Sequence, residues 1–484
     1  MENSKTHIAL LASPGMGHLI PVLELAKSFV SFHGFQVTVI VVATDVATSQ
    51  SFLKSLEHNL SIITLPLVDV SGLVDPSSSV VTKLAVTMRQ SLPILRSTIS
   101  EMKFRPTALI VDLFGTESMA VADEFGMLKY VFVTTNAWLL AFNVYIPIAH
   151  AKMEAGNEHA KRAKEFRIPG CKSVPLETPV EAFLGRDDQE FVEFKRTGTG
   201  IAMANGILVN TWEDLELKTF EALRNMKMFD NAKRTEVYPI GPLTRPVDQS
   251  LAPRDKAVME WLNKQPEESV IYVSFGSGGT LSTEQMVELA LGLEMSQQRF
   301  VWVVRPPSEN DASRSFFLLE SDSHQSFSYF PDGFLNRTRD RGVIVPTWAP
   351  QAEILAHPCV GGFLSHCGWN SILESIVNGV PMIAWPLYAE QKMNATLLTE
   401  ELGMAIGPET SLTDRVVGRK EIEKMVRMIM VGKEGHALRK RVKDLRDSSE
   451  KAIKKGGSSY ESLSKVARDC ETSLQSVRAK GQGA

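Results

Sequence analysis

Between Trp348 and Gln391 the chain collects polar and aromatic side chains of types that a packed core does not need. A short amphipathic turn over Gln351 to Ala356 leads into an apolar run, Val360 to Ser365, that reads as a buried strand ending at His366-Cys367-Gly368. Trp369-Asn370-Ser371 then open a helical pattern that continues through Ile372 to Val377. A strand that stops at small residues and feeds a helix aims backbone N–H groups and a positive helix end at whatever sits above the sheet, which suits a phosphate. Trp348 offers a flat apolar platform, Glu374 a carboxylate able to accept from two neighbouring hydroxyls, and Glu390-Gln391 a further pair of hydroxyl partners. A base, a ribose, a diphosphate and a sugar would each find a partner in this one segment.

Two other turns carry an ionisable group among small residues. Ser13-Pro14-Gly15-Met16-Gly17-His18 follows the first apolar run, and Asp112-Leu113-Phe114-Gly115 follows the run at Leu109. In doubly wound sheets, ligands meet the loops at the carboxyl ends of strands, so His18 and Asp112 are the residues to watch in the first half.

The elements that must position these groups are legible as an alternation. Ile8–Ala12, Val37–Val42, Ile62–Leu65, Leu109–Val111 and Tyr130–Val133 read as strands, with helical patterns at Pro21–Val30 and Ser118–Phe125. A second series supplies Val270–Phe275, Phe300–Val304, Val343–Val345, Gly361–Leu364, Met382–Ala384 and Met404–Ile406. Such alternation predicts parallel sheets covered on both faces. The fold class is therefore α/β, with two doubly wound, Rossmann-like domains: residues 1–243, a proline-broken linker at 244–255, and residues 256–457. A C-terminal helix follows at 458–484. The Ser-rich stretch from Pro306 to Pro331 shows no period and is expected to be a loop.

Composition narrows the classes. With 484 residues and 44% hydrophobic content the chain is globular and too long for one core. A formal charge of −4 gives no reason to expect nucleic acid or an anionic membrane surface. Four cysteines without CxxC spacing favour a reducing compartment, and no stretch approaches the ~20 apolar residues of a membrane span. The N-terminus lacks the long apolar run of a secretory signal, so a cytoplasmic protein is expected.

The segment 348–391 resembles the signature box of the plant secondary-product UDP-glycosyltransferases: Trp-Ala-Pro-Gln, His-Cys-Gly-Trp-Asn-Ser, Glu374 and the terminal Gln fall in register. Outside the box, SPGMGHLIP, PTALIVDLFGTES, GILVNTWEDLE, YPIGPLTRP and RFVWVVRPP resemble the phenylpropanoid and monolignol glucosyltransferase branch, and Glu390 stands where the wider family more often carries Asp. The resemblance implies a glycosyltransferase B fold, its two domains facing across a cleft and its last helix, about Ser459 to Leu474, returning to the first domain. It implies an inverting glucose transfer from UDP-glucose to a small phenolic acceptor, without metal or other cofactor; a monomer is expected, although the sequence carries no sign of the oligomeric state. Trp348 would stack uracil, Gln351 would hold the ribose side beside Ala349, and Glu374 would accept from both ribose hydroxyls. Ser277, His366, Gly368, Asn370 and Ser371 would meet the diphosphate. Glu390 and Gln391, with Trp369, would read glucose in preference to galactose. His18 would take the acceptor's proton, since a neutral imidazole with a pKa of ~6.5 can relay the proton of a phenol as the new C–O bond forms, and Asp112 would orient that imidazole. Phe114, Trp138, Phe142 and Tyr145 are expected to line the acceptor pocket.

Competing readings are a flavonoid, anthocyanidin or xenobiotic phenol as acceptor, a nucleotide-dependent oxidoreductase, and a sugar-nucleotide binding protein without turnover. Gly15-Met16-Gly17 begins like GxGxxG and Asp45 follows the second strand as a ribose-binding acid would. The sixth position, however, is Ile20, and Gly276-Ser277-Gly278-Gly279 also lacks the third glycine at the required spacing. A binding protein would have no need of His18 and Asp112.

Overall fold

The structure is a computed structural model that describes residues 5–42, 60–75, 78–154, 165–166, 168–172, 174–175, 189–225, 235–247, 252–309, 328–410 and 416–482. Asp45 and residues 310–327 of the Ser-rich stretch lie outside the described residues. The chain divides into two compact units, residues 1–243 with 451–484, and residues 244–450.

In the first unit, strands β1 (His7–Ala12), β2 (Gln36–Val42), β3 (Ser61–Leu65), β4 (Ala108–Asp112), β5 (Leu128–Val133), β6 (Gly206–Val209) and β7 (Glu236–Pro239) form a parallel sheet in the order β3-β2-β1-β4-β5-β6-β7. Every residue of β1 and β4 is buried, as a strand covered by helices on both faces requires. The order reverses between β1 and β4, whose Leu11 and Val111 are paired, so their carboxyl ends open a crevice where a doubly wound sheet takes its ligands. Strands β6 and β7 were not expected: four residues each are too few to show a period.

Helix α1 (Met16–His33) begins earlier than expected, so His18 belongs to its first turn rather than to a loop. The chain turns at Gly15, whose φ of 103° is a conformation open to glycine, and then enters the helix at once. Pro21 sits inside, near enough to the start that its missing N–H costs little, but it makes the helical pattern look as though it begins there. A second long helix, α2 (Ala137–Glu154), follows β5.

The second unit repeats the plan with β8 (Val270–Ser274), β9 (Arg299–Val304), β10 (Gly342–Pro346), β11 (Val360–Ser365), β12 (Met382–Ala384) and β13 (Ala405–Ile406), parallel in the order β10-β9-β8-β11-β12-β13. Its switch point lies between β8 and β11, where Ser274 pairs with Ser365. Helix α3 (Thr283–Ser296) follows β8, the short α4 (Gln351–Leu355) precedes β11, and α5 (Trp369–Val377) leaves it. Helices α6 (Arg419–Val431) and α7 (Lys433–Ile453) come next.

The last helix, α8 (Ser458–Gln482), belongs to the first unit. Leu463, Val466, Ala467 and Cys470 join the buried cluster that holds Ile8 and Leu10 of β1, Val37 and Val39 of β2, and Leu25 and Phe29 of α1. Ser459 Oγ donates to the Gly241 carbonyl at 2.6 Å. Among the described residues, no helix is long and apolar enough to cross a membrane, and no group of three or more His, Cys, Asp and Glu is placed to hold a metal ion.

Candidate active site

Asp112 ends β4 with no solvent exposure, and its carboxylate is shared among three donors. Oδ2 accepts from the Ser13 N–H at 2.8 Å, while Oδ1 accepts from Ser13 Oγ at 2.5 Å and from the Phe114 N–H at 3.2 Å. The acid thus clamps the ends of β1 and β4 across the switch point. His18 Nδ1 lies 3.3 Å from Asp112 Oδ2, although the angle falls short of a hydrogen bond and Nδ1 has no other partner among the described residues. A small rotation of the imidazole would align the pair, and contacts of this kind commonly tighten only when substrate is bound. Once Nδ1 is so aligned with the acid, Nε2 is the nitrogen left to accept a proton. Phe114 meets the His18 ring edge-on with centroids 5.2 Å apart, giving the site one apolar wall.

The second site gathers at the β8/β11 switch point. Gly276 carries φ 73°, and a Cβ added there would lie 2.4 Å from the His366 ring. A Cβ at Gly368 would also come within 2.4 Å of His366 Nε2, so glycines hold the imidazole from two directions. Burial, reinforced by the nearby Arg305 cation, pushes His366 down to about 4, so the ring is neutral at physiological pH. Its Nδ1 sits 3.3 Å from Ser365 Oγ. Gly368 is the N-cap of α5, and the first-turn N–H groups of Trp369, Asn370 and Ser371 are those that a helix leaves unpaired within itself.

Gln351, opening α4, ties Ser371 and Glu374 together: its Nε2 donates to Ser371 Oγ at 2.9 Å and to Glu374 Oε2 at 2.7 Å. Burial lifts the Glu374 carboxyl to about 7, against the bond from Gln351 and the more distant Arg245, which favour its charged form. Trp348 is half-buried, Ala349 is buried beside it, and Ser277 and Asn370 are half-buried.

Some expected residues present less than their types suggested. Gln391 Oε1 accepts from the N–H groups of Leu387 and Tyr388 at 2.8 and 3.0 Å, so its carbonyl oxygen is occupied within the chain and the amide NH₂ is what it can offer a hydroxyl. Glu390 is half-buried at the N-cap position of the short helix Gln391–Thr396, and Trp369 is buried. Of the four aromatics expected around the acceptor, Phe142 has no exposure and packs edge-on against Phe194 at 5.6 Å. Trp138 is likewise buried, its N–H bound with that of Ala137 to the buried Glu216 at the start of α2. These two are buried residues of α2, which packs against the helix Gln189–Ile201 that carries Phe194. Phe114 and Tyr145 remain half-buried.

Ser13 and Arg305 had no assigned role from sequence, although both stood inside quoted motifs. Ser13 is recognisable only once β1 and β4 are known to be neighbours. The signal for Arg305 was a charged residue ending the apolar run Phe300–Val304.

Comparison with known proteins adds identity to this geometry. Residues 248–433 match the family described as UDP-glucoronosyl and UDP-glucosyl transferase. The chain is 50% identical over 481 residues to anthocyanidin 3-O-glucosyltransferase 5 of Manihot esculenta, covering 99% of this chain and 98% of that protein. The crystal structure of TcCGT1 in complex with UDP superposes with a TM-score of 0.88 at 45% identity, covering 97% of this chain and 100% of that one. The structure of Phytolacca americana UGT2 with UDP-2fluoro-glucose and pterostilbene gives 0.84 at 37% identity, with the same coverage.

Proposed function

We propose, from the premise that the chain belongs to the UDP-glycosyltransferases, that it transfers glucose from UDP-glucose to the hydroxyl of a small phenolic acceptor with inversion at the anomeric carbon. The observation that carries the reading is the His18–Asp112 pair, 3.3 Å apart at the first switch point, in a chain whose second switch point is furnished for a nucleotide diphosphate.

His18 Nε2 takes the acceptor's hydroxyl proton while the oxygen attacks the anomeric carbon, and the imidazolium that forms is stabilised by buried Asp112. The bond from the anomeric carbon to the diphosphate breaks with its electrons passing to UDP. Charge growing there is met by the α5 N-terminus, the Ser277 loop and neutral His366, so that the chain's own donors supply the electrostatic stabilisation and the transfer proceeds without a metal ion. Attack opposite the leaving group inverts the centre. Trp348 stacks the uracil, and Gln351 and Glu374 hold the ribose. Glu390 accepts from the sugar and the Gln391 NH₂ donates to it, which favours the equatorial 4-hydroxyl of glucose over the axial one of galactose. Phe114 and Tyr145 present apolar surface to the acceptor ring.

The acceptor is read as a phenylpropanoid or monolignol type. An anthocyanidin is the second reading, supported by the name of the relative at 50% identity. We further read the protein as a cytoplasmic monomer, in keeping with four cysteines of which none forms a disulfide. The test is a panel of coniferyl-type alcohols, anthocyanidins and simple phenols with UDP-glucose and UDP-galactose, followed by product mass. Hexose addition to phenols with UDP-glucose preferred is expected. Absence of any hexosylated phenol would overturn the reading, and equal efficiency with both donors would remove the role given to Glu390 and Gln391.

A further inference from the structure

Arg305 directly follows β9, beside the carboxyl end of β8, and it is buried. A guanidinium in such a place normally pairs with a carboxylate, because an uncompensated buried charge is costly. Here its hydrogen bond runs from Nη1 to the Gly276 carbonyl, and among the described residues no Asp or Glu forms an ion pair with it. Burial pushes it down to about 10, against the phenols of Tyr388 and Tyr272, which favour its charge, so it is still cationic at neutral pH. Its charge reaches the diphosphate region, since it also helps hold His366 neutral.

The bond to Gly276 has a geometric consequence. In a trans peptide, C=O and the following N–H point in opposite directions. Tying the Gly276 carbonyl toward Arg305 therefore turns the Ser277 N–H away from it, and that N–H has no acceptor among the described residues. Successive N–H groups freed in a turn of this kind form an anion-binding concavity.

We propose that Arg305 is a positioning residue for the donor diphosphate: it fixes the Gly276–Ser277 peptide so that its N–H faces the phosphates, and its buried positive charge finds its counter-charge in the bound diphosphate. The proposal rests on the donor-site reading above. It is distinct from the roles given to His366 and the α5 N-terminus, because Arg305 acts through the loop and the field rather than by touching the ligand.

The experiment compares UDP with uridine by calorimetry on the full-length protein and on Arg305→Lys, Arg305→Gln and Arg305→Met. Uridine lacks the diphosphate, so a residue that merely props up the fold would weaken both ligands alike. The expected result is a loss of UDP affinity of roughly tenfold to a hundredfold in Arg305→Met, the range of a charge-assisted interaction, with uridine affinity unchanged. Arg305→Lys, which keeps the charge, should recover most of it, and Arg305→Gln, which keeps a donor to Gly276 without the charge, only part. Equal losses for UDP and uridine, unaltered UDP affinity in Arg305→Gln and Arg305→Met, or failure of all three variants to fold would each overturn the proposal. If the parent protein itself bound UDP no better than uridine, the donor-site reading would fall instead.

Discussion

At the scale of single residues, two side chains carry sharp expectations. His18→Ala should lower turnover on phenols by ~10²–10⁴-fold, the usual contribution of general-base catalysis, while UDP affinity stays near the parent value because the base belongs to the unit that does not hold the nucleotide. Turnover close to the parent on an ordinary phenol would sink the assignment. Asp112→Asn is expected to lose less, although the three donors that share the carboxylate mean that its loss also loosens the ends of β1 and β4. Glu374 brings a pH dependence whose sign can be worked out. Its carboxyl is raised to about 7 by burial, so near neutrality an appreciable fraction carries a proton. Ribose hydroxyls donate to the charged form and lower that pKa, so binding should expel a proton and affinity should rise as pH passes upward through about 7. Calorimetry of UDP binding in buffers of different ionisation enthalpy would show the release, and Glu374→Gln should abolish it. An unchanged proton count in that variant would take Glu374 out of the ribose site. The types and offsets that single out both residues are readable in the sequence. Their surroundings were not: the Ser13 clamp and the depth at which Glu374 is buried depend on strands far apart in the chain.

At the scale of elements, the second site is a strand-to-helix junction whose glycines are there for space. Gly368 has φ −67° and ψ 137°, which alanine adopts without strain, so any penalty for Gly368→Ala must come from its contact with His366. We expect UDP affinity to fall at least tenfold in Gly368→Ala, and to fall much less when the same change is made in a His366→Ala background. A double-mutant cycle measures that difference as a coupling energy, and additive losses would mean that the two residues do not share the space. The parallel strands were legible because sheets covered on both faces need near-continuous apolar runs. The starts of helices were less so. Pro21 hides the true beginning of α1, and α2, apolar nearly all round, does not show in sequence that Trp138 and Phe142 are buried whereas Tyr145 is half-buried.

The whole molecule depends on its last helix. Although α8 begins at Ser458, its residues Leu463, Val466, Ala467 and Cys470 sit in the same buried cluster as β1 and α1, joining segments more than four hundred positions apart in the chain. Sequence periodicity shows that such a helix exists but cannot say which surface it covers; only the family resemblance offered a destination. Each large apolar side chain in that cluster contributes on the order of 1.5–3 kcal/mol by leaving water, so removing the helix takes away an amount comparable with the roughly 5–15 kcal/mol that keeps a typical domain folded. It also takes Asp469 from the hydroxyls of Tyr130 and Tyr238, and it frees the Gly241 carbonyl from Ser459. A chain ending at Gly457 should therefore lose the first unit selectively. Denaturant unfolding is expected to separate into two transitions, the earlier one moved to much lower denaturant. Glucosyl transfer should vanish with that first transition, while UDP binding by residues 244–450 persists beyond it. If the shortened chain unfolded at the parent midpoint, or kept its transferase activity, α8 would be an appendage and the core of the first unit would close without it.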